Sequence, residues 1–114
     1  MQRIVVGNSF SLNMLDGNAV IATRRINKDE FRERVREAKE LGELVSIIGH
    51  QGTADLVSAI TGVTVEANRV NYSFLCDDVL LVVVLKGRIG EGVVMSQSEA
   101  ERVGVDFWEV RKVD

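Results

Sequence analysis

One short segment of the chain combines glycines with a titratable ring. The run Gly49-His50-Gln51-Gly52-Thr53 follows an apolar stretch and precedes a helical pattern. Glycines let a phosphate approach exposed backbone N–H groups at a helix start, where the helix dipole also favours an anion. An imidazole exchanges a proton near neutral pH, so His50 beside a bound phosphodiester would form a proton-transfer unit. Thr53 would add a hydroxyl or cap the helix. The structural alternative is that His50 starts the helix and hydrogen-bonds its own backbone.

A second candidate segment, Lys86–Gly92, has three glycines among its last six positions and follows an apolar run directly. Within it, Arg88 would clamp a phosphate and neutralise the charge of a crowded transition state. Glu91 would orient a hydroxyl or an imidazole. The alternative for both side chains is a solvated, charged turn.

A third segment, Gly7–Asn13, follows the first apolar run and is rich in small polar side chains: Asn8, Ser9, Ser11 and Asn13. They would contact a ligand or form a local turn network. All three segments follow predicted strands, and in open α/β sheets ligands bind at the loops that follow strands.

Runs of β-branched and apolar residues predict the strands that position these loops. They are Arg3–Val6, Ala19–Thr23, Leu44–Ile48, Val63–Val65, Val70–Cys76, Val79–Leu85, Val93–Met95 and Val105–Val110. Asp16-Gly17-Asn18 is a turn signal, so the first two strands would form a connected pair. Asp77-Asp78 fits a tight turn, which predicts a hairpin between Val70–Cys76 and Val79–Leu85 at the sheet centre.

Helix start and stop signals lie between these strands. Asn27 and Glu30 have capping-box spacing, which predicts that a helix starts at Asn27. Gly42 is a stop signal, so this helix would end there. Residues Phe31, Val35, Ala38 and Leu41 of that helix share one face. A second helix ends at Gly62, and a short third one begins after Ser96 and extends through Arg102. The sequence therefore predicts an α/β (α+β) fold, a single compact domain with a mixed central β-sheet flanked by helices.

Composition excludes several classes of function. The chain has 114 residues, 14 basic and 17 acidic, and its formal charge is −3, which argues against binding duplex nucleic acid through a cationic face. A single histidine and a single cysteine, Cys76, cannot form a four-ligand zinc site or an internal disulfide. We therefore expect no metal, no cofactor and a cytoplasmic location. The longest apolar run, Val79–Leu85, is too short to span a membrane.

Four segments together carry a resemblance that none of them carries alone. They are Asn8–Leu15, Ser46–Thr53, Thr61–Val63 with Asn68–Val70, and Arg88–Gly92, followed by the closing run Asp106–Val110. Their order and spacing, over nearly the whole chain, resemble the viral ring nuclease family. That family comprises the type III anti-CRISPR proteins of archaeal viruses and phages and their bacterial relatives. By this resemblance, residues 1–114 form one ring-nuclease-like domain.

The resemblance implies a homodimer that binds cyclic tetra-adenylate, the second messenger of type III CRISPR defence, and cuts it without a metal. His50 matches the family's catalytic histidine, and Arg88 and Glu91 match its functional arginine and glutamate. The ligand-contacting residues would be Asn8, Ser9, Phe10, Ser11 and Asn13 from the first loop and Gly49, Gln51, Gly52 and Thr53 from the second. One departure is Gly90, which stands where some relatives carry a second acid.

Two other functions compete with this interpretation. A protein that binds cyclic oligoadenylate without cutting it, as a sponge or a sensor, would use His50 only as a phosphate contact. A small nucleic-acid-binding protein is disfavoured by the acidic balance of the chain.

Overall fold

The computed structural model describes residues 3–75, 77–86 and 97–113 of the chain. Within them, in chain order, lie β1 (Ile4–Gly7), a 3-10 helix (Leu12–Met14), β2 (Ile21–Ile26), α1 (Lys28–Leu41), β3 (Leu44–Ser46), α2 (Gln51–Thr61), β4 (Val79–Leu85), α3 (Gln97–Val103) and β5 (Val105–Lys112). The predicted strand Val93–Met95 and the predicted cap Ser96 lie outside the described residues. The predicted mixture of helices and strands is confirmed.

The strands form one mixed sheet in the order β2-β5-β4-β1-β3. β1 runs parallel to β3 and β4, with Val6 opposite both Ser46 and Leu81. β5 runs antiparallel to both β4 and β2. β4 is the central strand, and its residues 79–83 are all buried, because a strand covered on both faces needs an unbroken apolar run. The predicted mixed sheet is therefore confirmed.

Both long helices begin or end at their predicted signals. The side chain of Asn27 accepts a hydrogen bond from the backbone N–H of Glu30 at 2.8 Å and so caps α1. Gly42 and Gly62 end α1 and α2 in the left-handed conformation, with φ of 73° and 75°. This conformation costs a glycine little because it has no Cβ.

The three helices pack on one face of the sheet. Phe31 of α1 is fully buried and stacks on Phe107 of β5, with the ring centroids 4.6 Å apart. The larger core also contains Val35, Ala38, Leu56, Val57 and Ile60 from α1 and α2, Ala100 from α3, and Ile4, Val6, Val79, Leu81 and Val83 from the sheet. Aliphatic and aromatic side chains at helical spacing thus form the core that the sequence pattern predicts. Leu41 is the exception on the predicted face of α1, because it lies exposed in the last turn of the helix.

On the opposite face of the sheet the described residues place no α-helix, and this face is only partly covered. Phe74 belongs to a smaller core on this face, and Phe10 and Tyr72 pack against that core. Beside Phe10 lies an open pocket of ≈480 Å³. Its remaining sheet residues, which we call the open sheet face, are Thr23, Val82, Val84, Trp108 and Val110. Val84 is 38% exposed there.

The predicted hairpin between Val70–Cys76 and Val79–Leu85 is wrong. β4 pairs on both sides with β1 and β5, so it has no free edge for a further neighbour. Residues 63–75 contain no strand. The Ser58 hydroxyl of α2 bonds both the N–H and the C=O of Val65, at 2.9 and 3.0 Å, and so replaces a strand partner.

The second predicted strand is shifted and has a different partner. It spans Ile21–Ile26 instead of Ala19–Thr23, and it pairs with β5 instead of forming a connected pair with β1. β4 and β5 lie between β1 and β2 in the sheet. The turn signal at Asp16-Gly17-Asn18 therefore lies in a loop that crosses from β1 to the other side of β4 and β5, and it does not close a hairpin. β2 pairs with β5 over its whole length.

Candidate functional site

Parallel pairing brings the ends of three strands to one edge of the sheet. β1, β3 and β4 are parallel neighbours that end at Gly7, Ser46 and Leu85. The carboxyl ends of parallel strands lie at the same edge, so each candidate segment starts from that edge. Arg88 and Glu91 of the third segment lie outside the described residues, and their predicted roles stay predictions.

A hydrogen bond joins the first two segments. The backbone N–H of Gly49 donates to Oδ1 of Asn8 at 3.2 Å. The two residues are far apart in sequence but follow adjacent strands, β1 and β3. The structure thus brings together the two loops that the sequence predicted as parts of one site.

The second loop is also held from its other side. The backbone N–H of Asn68 donates to the carbonyl of Ile48 at 2.7 Å, and its side-chain amide donates to the carbonyl of Ser46 at 2.9 Å. The Ser46 hydroxyl donates to the carbonyl of Glu66 at 2.5 Å. Residues 66–68 therefore clamp the chain that leads to His50.

His50 lies at the N-terminal boundary of α2 in an extended conformation, and its side chain does not cap the helix. Its Nδ1 atom is buried and has no hydrogen-bond partner among the described residues. The structural alternative, an imidazole bonded to its own backbone, is therefore not what the structure shows. The first turn of α2 contains no acidic residue, so the positive end of the helix dipole faces no carboxylate of that turn.

The other residues of the second loop have different environments. Gly52 and Thr53 are buried in the first turn of α2, and Thr53 lies inside the helix and does not occupy the cap position. Gln51 is exposed, and its amide donates to the carboxylate of Asp55 at 2.8 Å. This bond uses one of the two N–H donors of the amide, so its second N–H and its carbonyl oxygen stay accessible to a ligand.

Some residues of the first loop pack against the rest of the protein, and the others are exposed to solvent. Phe10 packs edge-on against Phe74, with the ring centroids 6.1 Å apart. Ser9, Ser11 and Asn13 are exposed, and none of their side chains hydrogen-bonds another described residue. The turn network predicted as the alternative exists only in the backbone, where Met14 N–H donates to the carbonyl of Ser11 at 3.1 Å. Their polar atoms are accessible to a ligand.

Arg69 is a further residue of the site. It lies in Asn68–Val70, one of the segments that carry the family resemblance, but the sequence predicted no role for it. A Cβ added to Gly49 would lie 3.6 Å from Nε and 3.7 Å from Cγ of Arg69, so this side chain passes beside Gly49. Arg69 is exposed and forms no ion pair with a described residue. It reaches Gly49 because residues 66–68, which lie between the predicted strands Val63–Val65 and Val70–Cys76, fold back onto the loop. A guanidinium at this place suits a phosphate.

Two further observations bear on the class of protein. No helix in the part of the chain that the structure describes is long and apolar enough to cross a membrane. Among the same residues, no group of three or more His, Cys, Asp or Glu side chains could hold a metal ion.

The chain is similar to proteins of archaeal viruses. It is 29% identical over 107 residues to ORF117 of Acidianus two-tailed virus, covering 93% of this chain and 90% of that protein. It is 36% identical over 78 residues to protein 26 of Sulfolobus islandicus filamentous virus, covering 65% and 66%. The solved structure of B116 of Sulfolobus turreted icosahedral virus matches with a TM-score of 0.85 and 28% identity, covering 96% of this chain and 98% of that one. The STIV B116-like family model matches residues 4–107, and the chain belongs to this family.

Proposed function

We propose that this protein is a metal-independent ring nuclease. In this proposal it binds cyclic tetra-adenylate as a homodimer and cleaves it to linear di-adenylates, which switches off type III CRISPR signalling. The viral origin of its relatives fits an anti-CRISPR role in the cytoplasm of an infected host. The observation that carries the proposal is the hydrogen bond from Gly49 N–H to Asn8 Oδ1, because it makes one site of the two predicted ligand loops.

The chemistry of this site supports an anionic ligand. The helix dipole and the unpaired N–H groups of the first turn attract negative charge at the start of α2. Arg69 adds a cationic side chain beside Gly49. The hydroxyl and amide groups of Ser9, Ser11 and Asn13 are available for sugar and base atoms. A phosphodiester with ribose and base on either side can use all three kinds of contact.

The residues provide a route for cleavage that needs no metal. The ribose 2′-hydroxyl adjacent to the scissile phosphate gives its proton to solvent water and attacks phosphorus through its oxygen, and the bond from phosphorus to the 5′-oxygen breaks. His50 acts as general acid and gives a proton to the departing 5′-oxygen, which leaves a 2′,3′-cyclic phosphate. Arg88 stabilises the charge on the phosphorane oxygens, and Glu91 positions His50 or the ribose.

The homodimer is part of the proposal because a four-fold ring of nucleotides suits a two-fold pair of sites. An isologous interface would present equivalent His50 side chains to opposite phosphodiesters. The open sheet face supports this arrangement. It gathers partly exposed apolar side chains, Val84 and Trp108 among them, beside Asn8 and Phe10 of the first loop. Apolar pockets rimmed by polar residues mark contact surfaces for other molecules.

Incubation of the purified protein with labelled cyclic tetra-adenylate, followed by chromatography, tests the proposal. We expect linear di-adenylate with a 2′,3′-cyclic phosphate, in the presence of a chelator as in its absence. His50→Ala should lose about 10²- to 10⁴-fold in cleavage rate and still bind the ring. Glu33→Ala, at an exposed position of α1, is the matched control and should cleave at the wild-type rate.

Two results would contradict the proposal. If chelators abolish cleavage, the chemistry depends on a metal. If the wild-type protein binds the ring and returns it intact after denaturation, the protein is a sponge or a sensor and His50 is only a phosphate contact.

A further inference from the structure

We infer that Asn8 is a positioning residue that holds the backbone at Gly49 and thereby the imidazole of His50. This inference rests on the proposed function and deepens it. It separates the role of Asn8 from that of the other polar side chains in the first loop, which would only contact the ligand.

The geometry of the loop points to this role. The acceptor atom of Asn8, Oδ1, is occupied by the N–H of Gly49, the residue directly before His50. Glycine is the residue with the greatest backbone freedom, so an external anchor restricts it more than any other residue. Asn8 follows β1 directly, and the buried strand gives this anchor a fixed position.

The backbone groups that precede the N–H of Gly49 have anchors that do not involve Asn8, and one of them, the N–H of Ile48, donates to the Ser46 hydroxyl at 3.3 Å. Ile47 N–H donates to the carbonyl of Val6 at 2.9 Å, and Asn68 N–H donates to the carbonyl of Ile48 at 2.7 Å. Gly49 N–H instead has a side chain, that of Asn8, as its acceptor. A single substitution can therefore remove the anchor of the Gly49 N–H and leave the others intact, including the bond to the Ile48 carbonyl of the same peptide group.

The imidazole itself lacks a comparable anchor. The Nδ1 atom of His50 has no hydrogen-bond partner within residues 3–75, 77–86 and 97–113, and the side chain does not cap α2. Its place is set by packing and by the backbone on either side. The carbonyl of His50 accepts from Ala54 N–H at 3.1 Å on the helix side. On the loop side the hydrogen bond nearest to it is the one from Gly49 to Asn8.

Two variants of Asn8 separate positioning from binding. Asn8→Ala removes the acceptor, and we expect the Gly49 amide to exchange with solvent about 5- to 10-fold faster. Displacement of a catalytic group by about 1 Å costs on the order of 10²-fold in rate, so single-turnover cleavage of saturating cyclic tetra-adenylate should slow by about 10- to 100-fold. Asn8→Asp keeps an acceptor oxygen. It should retain the slow exchange and most of the rate, although its negative charge weakens binding of the ring.

A comparison variant and a spectroscopic readout complete the experiment. Asn13→Ala should weaken ring binding and leave Gly49 exchange unchanged, because Asn13 has no bond to that loop. His50 is the only histidine, so its ring gives one set of NMR signals. These signals should shift or broaden in Asn8→Ala and stay near their wild-type positions in Asn8→Asp.

The outcomes distinguish this inference from the proposed function. If the wild-type protein leaves the ring intact, the proposed function fails. If the wild-type protein cleaves normally and Asn8→Ala loses only affinity, with its rate at saturation unchanged, the positioning role is wrong while the proposed function stands. Unchanged Gly49 exchange in Asn8→Ala would also overturn the positioning role.

Discussion

The guanidinium of Arg34 on α1 donates to the buried carboxylate of Glu109 on β5 at 2.5 Å, which ties the first helix to the sheet. Arg24 and Arg111 also reach this carboxylate, at 3.4 and 3.1 Å. The side chain of Glu109 is only 7% exposed, so a large part of the charge that it buries is balanced by these three arginines.

Glu109 should make folding stability depend on pH. Burial by itself would raise the pKa of Glu109, but hydrogen bonds from Arg111, Arg34 and Arg24 outweigh it and lower the pKa to about 2 from its ordinary value of 4.5. The stabilisation is therefore complete above about pH 4.5 and is lost as the pH falls towards 2. Glu109→Gln resembles the protonated form, so it should lower the free energy of unfolding by about 2 kcal/mol at pH 7. Urea denaturation at a series of pH values measures this.

The control for this prediction is Glu101→Gln, which removes an exposed ion pair with Lys28. Exposed pairs contribute little, so its effect should stay below about 0.5 kcal/mol at every pH. The account of Glu109 is contradicted if Glu109→Gln keeps the wild-type difference in stability between pH 7 and pH 3.

The helices were predictable because their signals are local. Asn27, Gly42 and Gly62 act through bonds within one turn, and the sequence shows both partners. The partner of β2 was not predictable in the same way. The sequence suggested β1, but β2 pairs with β5, some 85 residues later in the chain at Arg24 and Glu109. Strand pairing over such a separation depends on the whole sheet and leaves no local signal.

The candidate site, like the fold, was predictable only in part. The sequence placed the site in loops that follow strands. Asn8 and Gly49 do lie at one edge of the sheet, because they follow β1 and β3, which are parallel neighbours. The first strand was predicted to end at Val6, yet Gly7 is the last residue of β1, and an added Cβ would lie 2.9 Å from Cγ1 of Ile47. No role was predicted for Arg69, although it lies in Asn68–Val70, because an irregular segment carries it to the site. The Ser58 hydroxyl that holds this segment gives no periodic pattern in the sequence.

A methyl group at Gly49 should weaken ligand binding with little effect on the stability of the fold. A Cβ there would meet Arg69 at ordinary van der Waals distance, and Gly49 does not have a positive φ. Gly49→Ala should therefore change the free energy of unfolding by less than about 1 kcal/mol. If a phosphate approaches this backbone closely, the methyl group occupies its place. Calorimetric titration with cyclic tetra-adenylate should then show at least about tenfold weaker binding.

Gly17→Ala is the matched control for Gly49→Ala, because a Cβ at Gly17 has no neighbour within 4 Å. It should bind the ring as the wild-type protein does. Unchanged ring affinity in Gly49→Ala would show that the ligand does not use the space beside Gly49.

The last prediction concerns the oligomeric state of the protein and the open sheet face. If a second copy of the chain covers it, a charge at the partly exposed Val84 should separate the two copies without unfolding either, because one of its sides already contacts solvent. Light scattering should give twice 12.6 kDa for the wild-type protein and 12.6 kDa for Val84→Lys at the same concentration. Leu41→Lys is the control, since Leu41 is 59% exposed at the end of α1, away from the open sheet face. It should remain dimeric, and circular dichroism should show both variants folded. A folded Val84→Lys that keeps the dimer mass would exclude this face as the interface.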